Sequence, residues 1–238
     1  MKIIISLIIF ISYSNHLSAQ KQFSGWLATF NTFKTGKKTS IHSDIQWRSA
    51  DDLQYTQSLI LRTGLNYHLN KKTTITGGYA FIHNYRNTGG VDGYVPEHRI
   101  WEQFLYHHKW NKVNISHRFR LEQRFIGKTV VDNNRLKNDG SLYANRFRYF
   151  IRNVWPLNHQ PTFTRGMFAA LQNELFFNFG NKRNVNGKTF DQNRLYTAVG
   201  HRFNKSFDIE AGYMNQYVNG RTVDVNNHIV QIAGYIRL

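Results

Sequence analysis

The sequence predicts an all-β protein, an antiparallel transmembrane β-barrel of about 10–12 strands spanning residues 20–238. Three observations carry that expectation. Short turns and long polar loops alternate along the chain, as in barrels with tight periplasmic turns and longer external loops. Aromatic side chains gather near strand ends, at Trp47, Tyr67, Tyr85, Trp110, Phe125, Trp155, Phe179 and Tyr217, where interface girdles lie. The last strand runs to the end of the chain, with Val230, Ile232 and Ile236 on one face and Gly234 between them.

Residues 1–19 read as a secretory signal peptide. Lys2 precedes an apolar run from Ile3 to about Tyr13, then a polar stretch ends in the small residues Ser18 and Ala19. That run is too short to cross a membrane as a helix, and no other apolar run approaches the ~20 residues required. A buried N-terminal helix is the alternative. If the chain is in a membrane, it must be there as a closed sheet.

The strands follow in order. Trp26 to Lys34 turns at Thr35-Gly36-Lys37-Lys38 into Ile41 to Arg48, where Ile41, Ile45 and Trp47 oppose His42, Asp44, Gln46 and Arg48. Gln57 to Leu69 sets Leu59, Leu61, Leu65 and Tyr67 against Ser58, Arg62, Asn66 and His68. Asn70-Lys71-Lys72 turns into Thr73 to Tyr85, and Gly77-Gly78 within it reads as glycine easing curvature. A loop from Arg86 to Val95 leads to His98–Lys109, whose Ile100, Trp101, Phe104 and Leu105 choose no single face.

Val113 to Phe125 is the clearest strand. Val113, Ile115, Phe119, Leu121 and Phe125 share one face; Ser116, Arg118, Arg120, Glu122 and Arg124 share the other. A polar loop, Gly127 to Leu142, precedes Asn145 to Val154, where Phe147, Tyr149 and Ile151 oppose Arg146, Arg148 and Arg152. Met167 to Phe179, Asp191 to Phe203, Phe207 to Tyr217 and Asn227 to Leu238 complete eleven candidates. The link Trp155 to Gly166 is longer than the alternation wants. An even number is expected if both termini lie on one side, hence a range rather than a count. A periplasmic β-sandwich is the alternative architecture.

Composition narrows the partners. Without cysteine there are no disulfides, thiolate metal sites or thiol nucleophiles. With Lys2 lost in the signal, 31 − 1 basic residues against 14 acidic ones leave a net charge of +16. Export argues against nucleic acid as the partner of that charge. Outer-membrane lipids, lipopolysaccharide phosphates or a small anionic solute fit better, at the outer membrane of a Gram-negative bacterium.

Several blocks carry a resemblance: Gln46-Trp47-Arg48, Pro96-Glu97-His98-Arg99-Ile100-Trp101, His117 to Phe125, Arg146-Phe147-Arg148-Tyr149, Phe190-Asp191-Gln192-Asn193-Arg194 and Gly212-Tyr213-Met214-Asn215-Gln216. Over nearly all of residues 20–238 the chain resembles the DUF2490 family of envelope proteins. That resemblance implies an outer-membrane-type barrel and supplies no activity, no cofactor and no catalytic residues. The final strand is similar to the C-terminal insertion signal of such barrels, with Leu238 in place of the usual Phe.

Catalytic motifs are sparse. The only His-x-Ser spacing, His16–Ser18, lies in the expected signal. Ser116-His117 and His42-Ser43 are adjacent, so their side chains point to opposite faces. A lipid-modifying hydrolase therefore needs a triad assembled across strands. Glu97, His98 and Glu102 are a weak possibility for a divalent ion, and no metal or cofactor is expected. The stronger signal is charge. As hairpin neighbours, the strands at Val113 and Asn145 bring Arg118, Arg120, Arg124, Arg146, Arg148 and Arg152 into one lumen, with only Glu122 and Glu174 near to orient them. Unpaired buried ions cost several kcal/mol each, so Asp44, Glu102, Asp191 and Glu210 are expected to reach in, or an anion is. The functional expectation is a small anion-preferring channel or binding barrel. A structural or assembly barrel holding lipopolysaccharide is a further alternative.

Overall fold

The computed structural model describes residues 19–50, 52–158 and 162–238, so the signal-peptide expectation falls almost wholly outside the described residues. Eleven strands form one sheet: β1 (Gln20–Lys34), β2 (Thr39–Ala50), β3 (Tyr55–His68), β4 (Thr73–Thr88), β5 (Val91–Trp110), β6 (Val113–Asp132), β7 (Arg135–Pro156), β8 (Gly166–Phe179), β9 (Phe190–Asn204), β10 (Phe207–Val218) and β11 (Val225–Arg237). Each strand pairs with its sequence neighbours in antiparallel fashion, and β1 pairs with β11 in parallel to close the barrel. The closing register runs from Gln20 beside Val225 to Thr32 beside Arg237. The even strand number expected earlier therefore does not hold. Because β1 and β11 run the same way, Gln20 starts at the end carrying the long loops and Arg237 finishes at the end carrying the short turns.

Strand alternation sorts the side chains. On β6, Arg120, Glu122 and Arg124 are buried, whereas Phe119 and Leu121 are 40% and 42% exposed. Leu27, Ile45, Leu61, Ile100, Leu195, Val199 and Ile232 carry the same exposed apolar face around the barrel. Arginine and carboxylate line the inside, and aliphatic and aromatic side chains cover the outside. Exposing contiguous apolar area to water is unfavourable.

The ambiguity of β5 has a physical cause. Ile100 and Phe104 point outward, but Trp101 turns into the lumen and is buried. Its ring lies over Gly64 and Gly78, where a Cβ would strike it. His42 meets it edge-on, with ring centroids 5.9 Å apart. Gly78 is thus a seat for Trp101, whereas Gly77 has open space where its Cβ would be.

Two stretches expected as loops are hairpins standing beyond the barrel. β6 and β7 continue to Asp132 and Arg135 around Asn133-Asn134, whose φ values are 48° and 57°. β4 and β5 meet at Gly89-Gly90, with φ values of 59° and 81°. Two consecutive left-handed residues match the twist of paired strands, which is why Asn-Asn and Gly-Gly make tight hairpin turns. The Thr88 and Thr129 hydroxyls join the two hairpins at 3.1 Å. In the long link between β7 and β8 the described residues that precede β8 pack inward instead. Phe163 packs edge-on against Phe168, and Arg202 Nη1 donates to the Phe163 carbonyl at 2.9 Å. This fills the turn end of the lumen beneath β8 and β9.

Gly78→Ala should destabilise the barrel by about 1–3 kcal/mol through overpacking, read as a lower urea midpoint of the refolded protein. Gly77→Ala should leave the midpoint nearly unchanged.

Candidate anion site in the lumen

The expected arginines meet in the lumen because β6, β7, β8 and β9 are adjacent and their inward registers coincide. Arg120 pairs across with Arg148, and Glu122 with Arg146. Glu122 is the hub: its carboxylate takes Arg146 Nη2 at 2.7 Å and Arg148 Nη1 at 2.6 Å. Arg99 Nη1 stands 3.6 Å away and Arg120 Nη1 4.0 Å away. Glu174 accepts from Arg118 at 2.6 Å and Arg148 at 2.7 Å. Arg120 is held chiefly by Gln103 Oε1, at 2.7 Å from Nη2, and by the Trp101 ring 4.5 Å from its guanidinium carbon.

Remote acids enter as the charge argument requires, with one exception. Asp191 reaches Arg146 at 3.2 Å, and Asp44 holds Arg62 at 2.9 Å. Glu210 takes Arg152 at 2.5 Å and also accepts from the Tyr235 hydroxyl at 2.7 Å. Glu102 does not enter. It shares the outward face with Ile100 and Phe104, where Gln123 donates to it at 3.2 Å. Glu97 enters in its place, at 2.7 Å from both Arg99 and Arg124. Glu97 is therefore on the opposite face from His98 and Glu102, so the possible metal constellation is not assembled. No group of three or more metal-ligating side chains occurs among the described residues.

Arg118, Arg120, Arg124, Arg146, Arg148 and Arg152 thus lie within a dense ion-pair lattice. Two arginines that sequence reasoning did not select stand outside it. Arg48 and Arg194 have no carboxylate within 4.0 Å among the described residues. Arg48 Nη2 donates to Gln46 at 2.6 Å, and Arg194 Nη2 to Gln192 at 3.1 Å. Both guanidiniums face Trp26, at 3.9 Å and 5.1 Å from its ring centroid. Buried Nε atoms of Arg48 and Arg62 have no hydrogen-bond partner. Among the described residues in this part of the lumen, Arg48, Arg62, Arg99, Arg118, Arg120, Arg124, Arg146, Arg148, Arg152 and Arg194 face Asp44, Glu97, Glu122, Glu174, Asp191 and Glu210, so ten cations meet six carboxylates.

The uncompensated pair borders a cavity of about 460 Å³. It runs from Gln22, Gln57 and Arg86 near the loop end to Arg62, Arg148 and Phe176 at its floor. Its size falls within the ~300–1,000 Å³ of small-molecule sites. Toward the turn end, Trp101, Tyr196 and Phe168 are almost completely buried. Their packing makes the space a cup floored by arginine.

Serine and histidine do meet across strands. Ser40 Oγ lies 2.9 Å from His68 Nε2, but His68 Nδ1 meets the Thr74 hydroxyl at 3.0 Å rather than a carboxylate. Ser40 is also buried. The second pair, His107 Nδ1 with Ser116 Oγ at 2.8 Å, has no acid on the imidazole either. Among the described residues, neither has the base-orienting carboxylate of a hydrolytic triad. On the hairpin beyond the barrel, the bond from Tyr85 to Asp92 pushes the phenol up to about 12 and holds the carboxyl below its usual range.

A closed, mostly antiparallel sheet with an arginine–carboxylate lumen defines this chain as a β-barrel with a charged interior. The pattern of the DUF2490 family, described as a protein of unknown function, matches residues 23–227, and the chain belongs to that family. Neither the curated proteins nor the solved structures yielded a match.

Glu122→Gln keeps the shape of the hub and removes its charge. Leaving Arg146 and Arg148 short of a partner should cost about 3–5 kcal/mol, seen as loss of the heat-modifiable folded band at temperatures the parent survives.

Proposed function

We propose that this protein is an outer-membrane β-barrel that holds a small anionic solute in the cup at its loop end. The apolar outer face, the aromatic residues near strand ends and the closed hydrogen-bonded ring all favour a lipid surround. The basic loops favour contact with lipopolysaccharide phosphates on the outer leaflet. One observation carries the functional reading: Arg48 and Arg194 share a cavity whose one lining carboxylate among the described residues, Glu97, is already paired with Arg99 and Arg124. Two desolvated like charges are unfavourable unless an anion lies between them. Arginine suits this role because its planar fork binds carboxylate or phosphate oxygens in pairs.

Of the two forms of the anion hypothesis, a binding cup is favoured over a conducting pore. Conduction needs a continuous wet path, whereas Trp101, Tyr196, Phe168 and the inserted Phe163 pack the lumen below the cup.

Purified, refolded protein in detergent micelles should bind inorganic phosphate in a saturable, salt-sensitive way by isothermal titration. A charge-assisted hydrogen bond contributes about 1.5–3 kcal/mol, so Arg48→Gln or Arg194→Gln should weaken binding about tenfold or more. Phosphate binding unchanged in both variants would overturn the reading. In planar bilayers the wild type should show no sustained anion-selective current; such a current would make the cup a pore.

A further inference from the structure

The cup carries more than positive charge. Beside Arg48, an arc of neutral hydrogen-bonding side chains spans β11, β1, β3 and β4, ending at Asn84, whose Nδ2 donates to Glu97 at 3.4 Å. Ser24 Oγ donates to Asn227 Oδ1 at 3.1 Å, and Ser58 Oγ to Asn84 Oδ1 at 2.8 Å. Gln22 and Gln57 line the same cavity and make no side-chain hydrogen bond among the described residues. The strand registers make the arc continuous: Gln22 lies beside Asn227, Trp26 beside Arg48, Arg48 beside Ser58, and Ser58 beside Asn84.

This arc is more than a bare oxyanion can use. Phosphate or a simple carboxylate offers chiefly acceptor oxygens, and the guanidiniums supply donors enough to satisfy them. Glutamine, asparagine and serine both donate and accept. Their acceptor oxygens serve a ligand with hydroxyl hydrogens of its own. We infer that the occupant of the cup is an acidic sugar, its negative group between Arg48 and Arg194 and its hydroxyls on the arc of Gln22, Ser24, Gln57, Ser58, Asn84 and Asn227. This inference rests on the anion-cup reading. It adds the requirement that charge and hydroxyls lie on one small molecule. A cavity of about 460 Å³ has room for a monosaccharide and water around it.

The lining supports a sugar in a second way. Trp26 and Phe176 do not offer a bare ring face, because Arg48 and Arg194 cover the first and Arg146, Arg148 and Arg194 the second. A flat apolar anion would find no stacking surface, whereas a polar, hydroxyl-bearing one meets hydrogen-bonding groups on every side.

Refolded full-length barrel in micelles should be titrated calorimetrically with glucuronate, glucose 6-phosphate, glucose, acetate and inorganic phosphate. At least one of the two acidic sugars should bind about tenfold tighter than the simple anion bearing the same charged group, and glucose should bind more weakly than both sugars. The double variant Gln22→Ala, Gln57→Ala should lose about fivefold for the acidic sugar while phosphate binding stays unchanged. Arg48→Gln should weaken sugar acid and simple anion alike. If acetate and phosphate bind as tightly as the sugars that carry their groups, the sugar assignment is overturned and the anion cup stands. If no anion binds, both fall. An acidic sugar whose affinity ignores the double glutamine variant also overturns the role given to the arc.

Discussion

Charge held out of water governs this barrel. Glu122 sits almost fully buried with arginines from β5, β6 and β7 around it. None of those guanidiniums could occupy a lumen this narrow without a carboxylate, and Glu122 could not remain ionised without them. The consequence reaches the sheet. Ion pairs tie β6 to β8 through Arg118 and Glu174, β7 to β9 through Arg146 and Asp191, and β7 to β10 through Arg152 and Glu210. Side chains thus cross-link strands that share no backbone hydrogen bonds, and these links fix how the ring is folded around its own contents.

The lattice is lopsided, and the lopsidedness is where function enters. Carboxylates lie on β5, β6, β8, β9 and β10, as Glu97, Glu122, Glu174, Asp191 and Glu210. On β1, β2 and β3 the buried carboxylate is Asp44, already committed to Arg62 and His42. Arg48 is left over on that side. Parallel closure by β1 adds Trp26 under Arg48 and places Gln22 and Ser24 along the cavity wall. A ten-stranded ring closed by β2 against β11 would lack all three. The eleventh strand is therefore part of the cup's wall as well as its seam.

Much of this was legible in the chain. The eleven strand positions, the outward apolar faces and the inward Arg118, Arg120, Arg124, Arg146, Arg148 and Arg152 all follow from period-two alternation, which is a local property. What escaped depends on the ring. Arg146 meets Asp191 from 45 positions away and Arg152 meets Glu210 from 58 away, so the charge balance of the lumen is invisible until the strands are ordered. Trp101 misled because one inward position needed bulk rather than polarity, and the two glycines that admit it lie on other strands. Glu102 looked like a lumen acid by residue type alone, although its spacing from Ile100 and Phe104 placed it outside. Arg48 and Arg194 differ from their neighbours only in what they lack, and the absence of a partner has no local signature. Asn133-Asn134 and Gly89-Gly90, by contrast, were readable as hairpin turns and were passed over because the segments around them are polar.

On the proposed function, an anion completes the charge balance of the cup between Arg48 and Arg194. Crystals of the barrel soaked in selenate, measured at the selenium absorption edge, test it most directly. An anomalous peak is expected within hydrogen-bonding distance of Arg48 Nε and the Arg194 guanidinium, lost in the Arg48→Gln protein. Selenate bound only at surface lysines, with nothing in the cup, would contradict it.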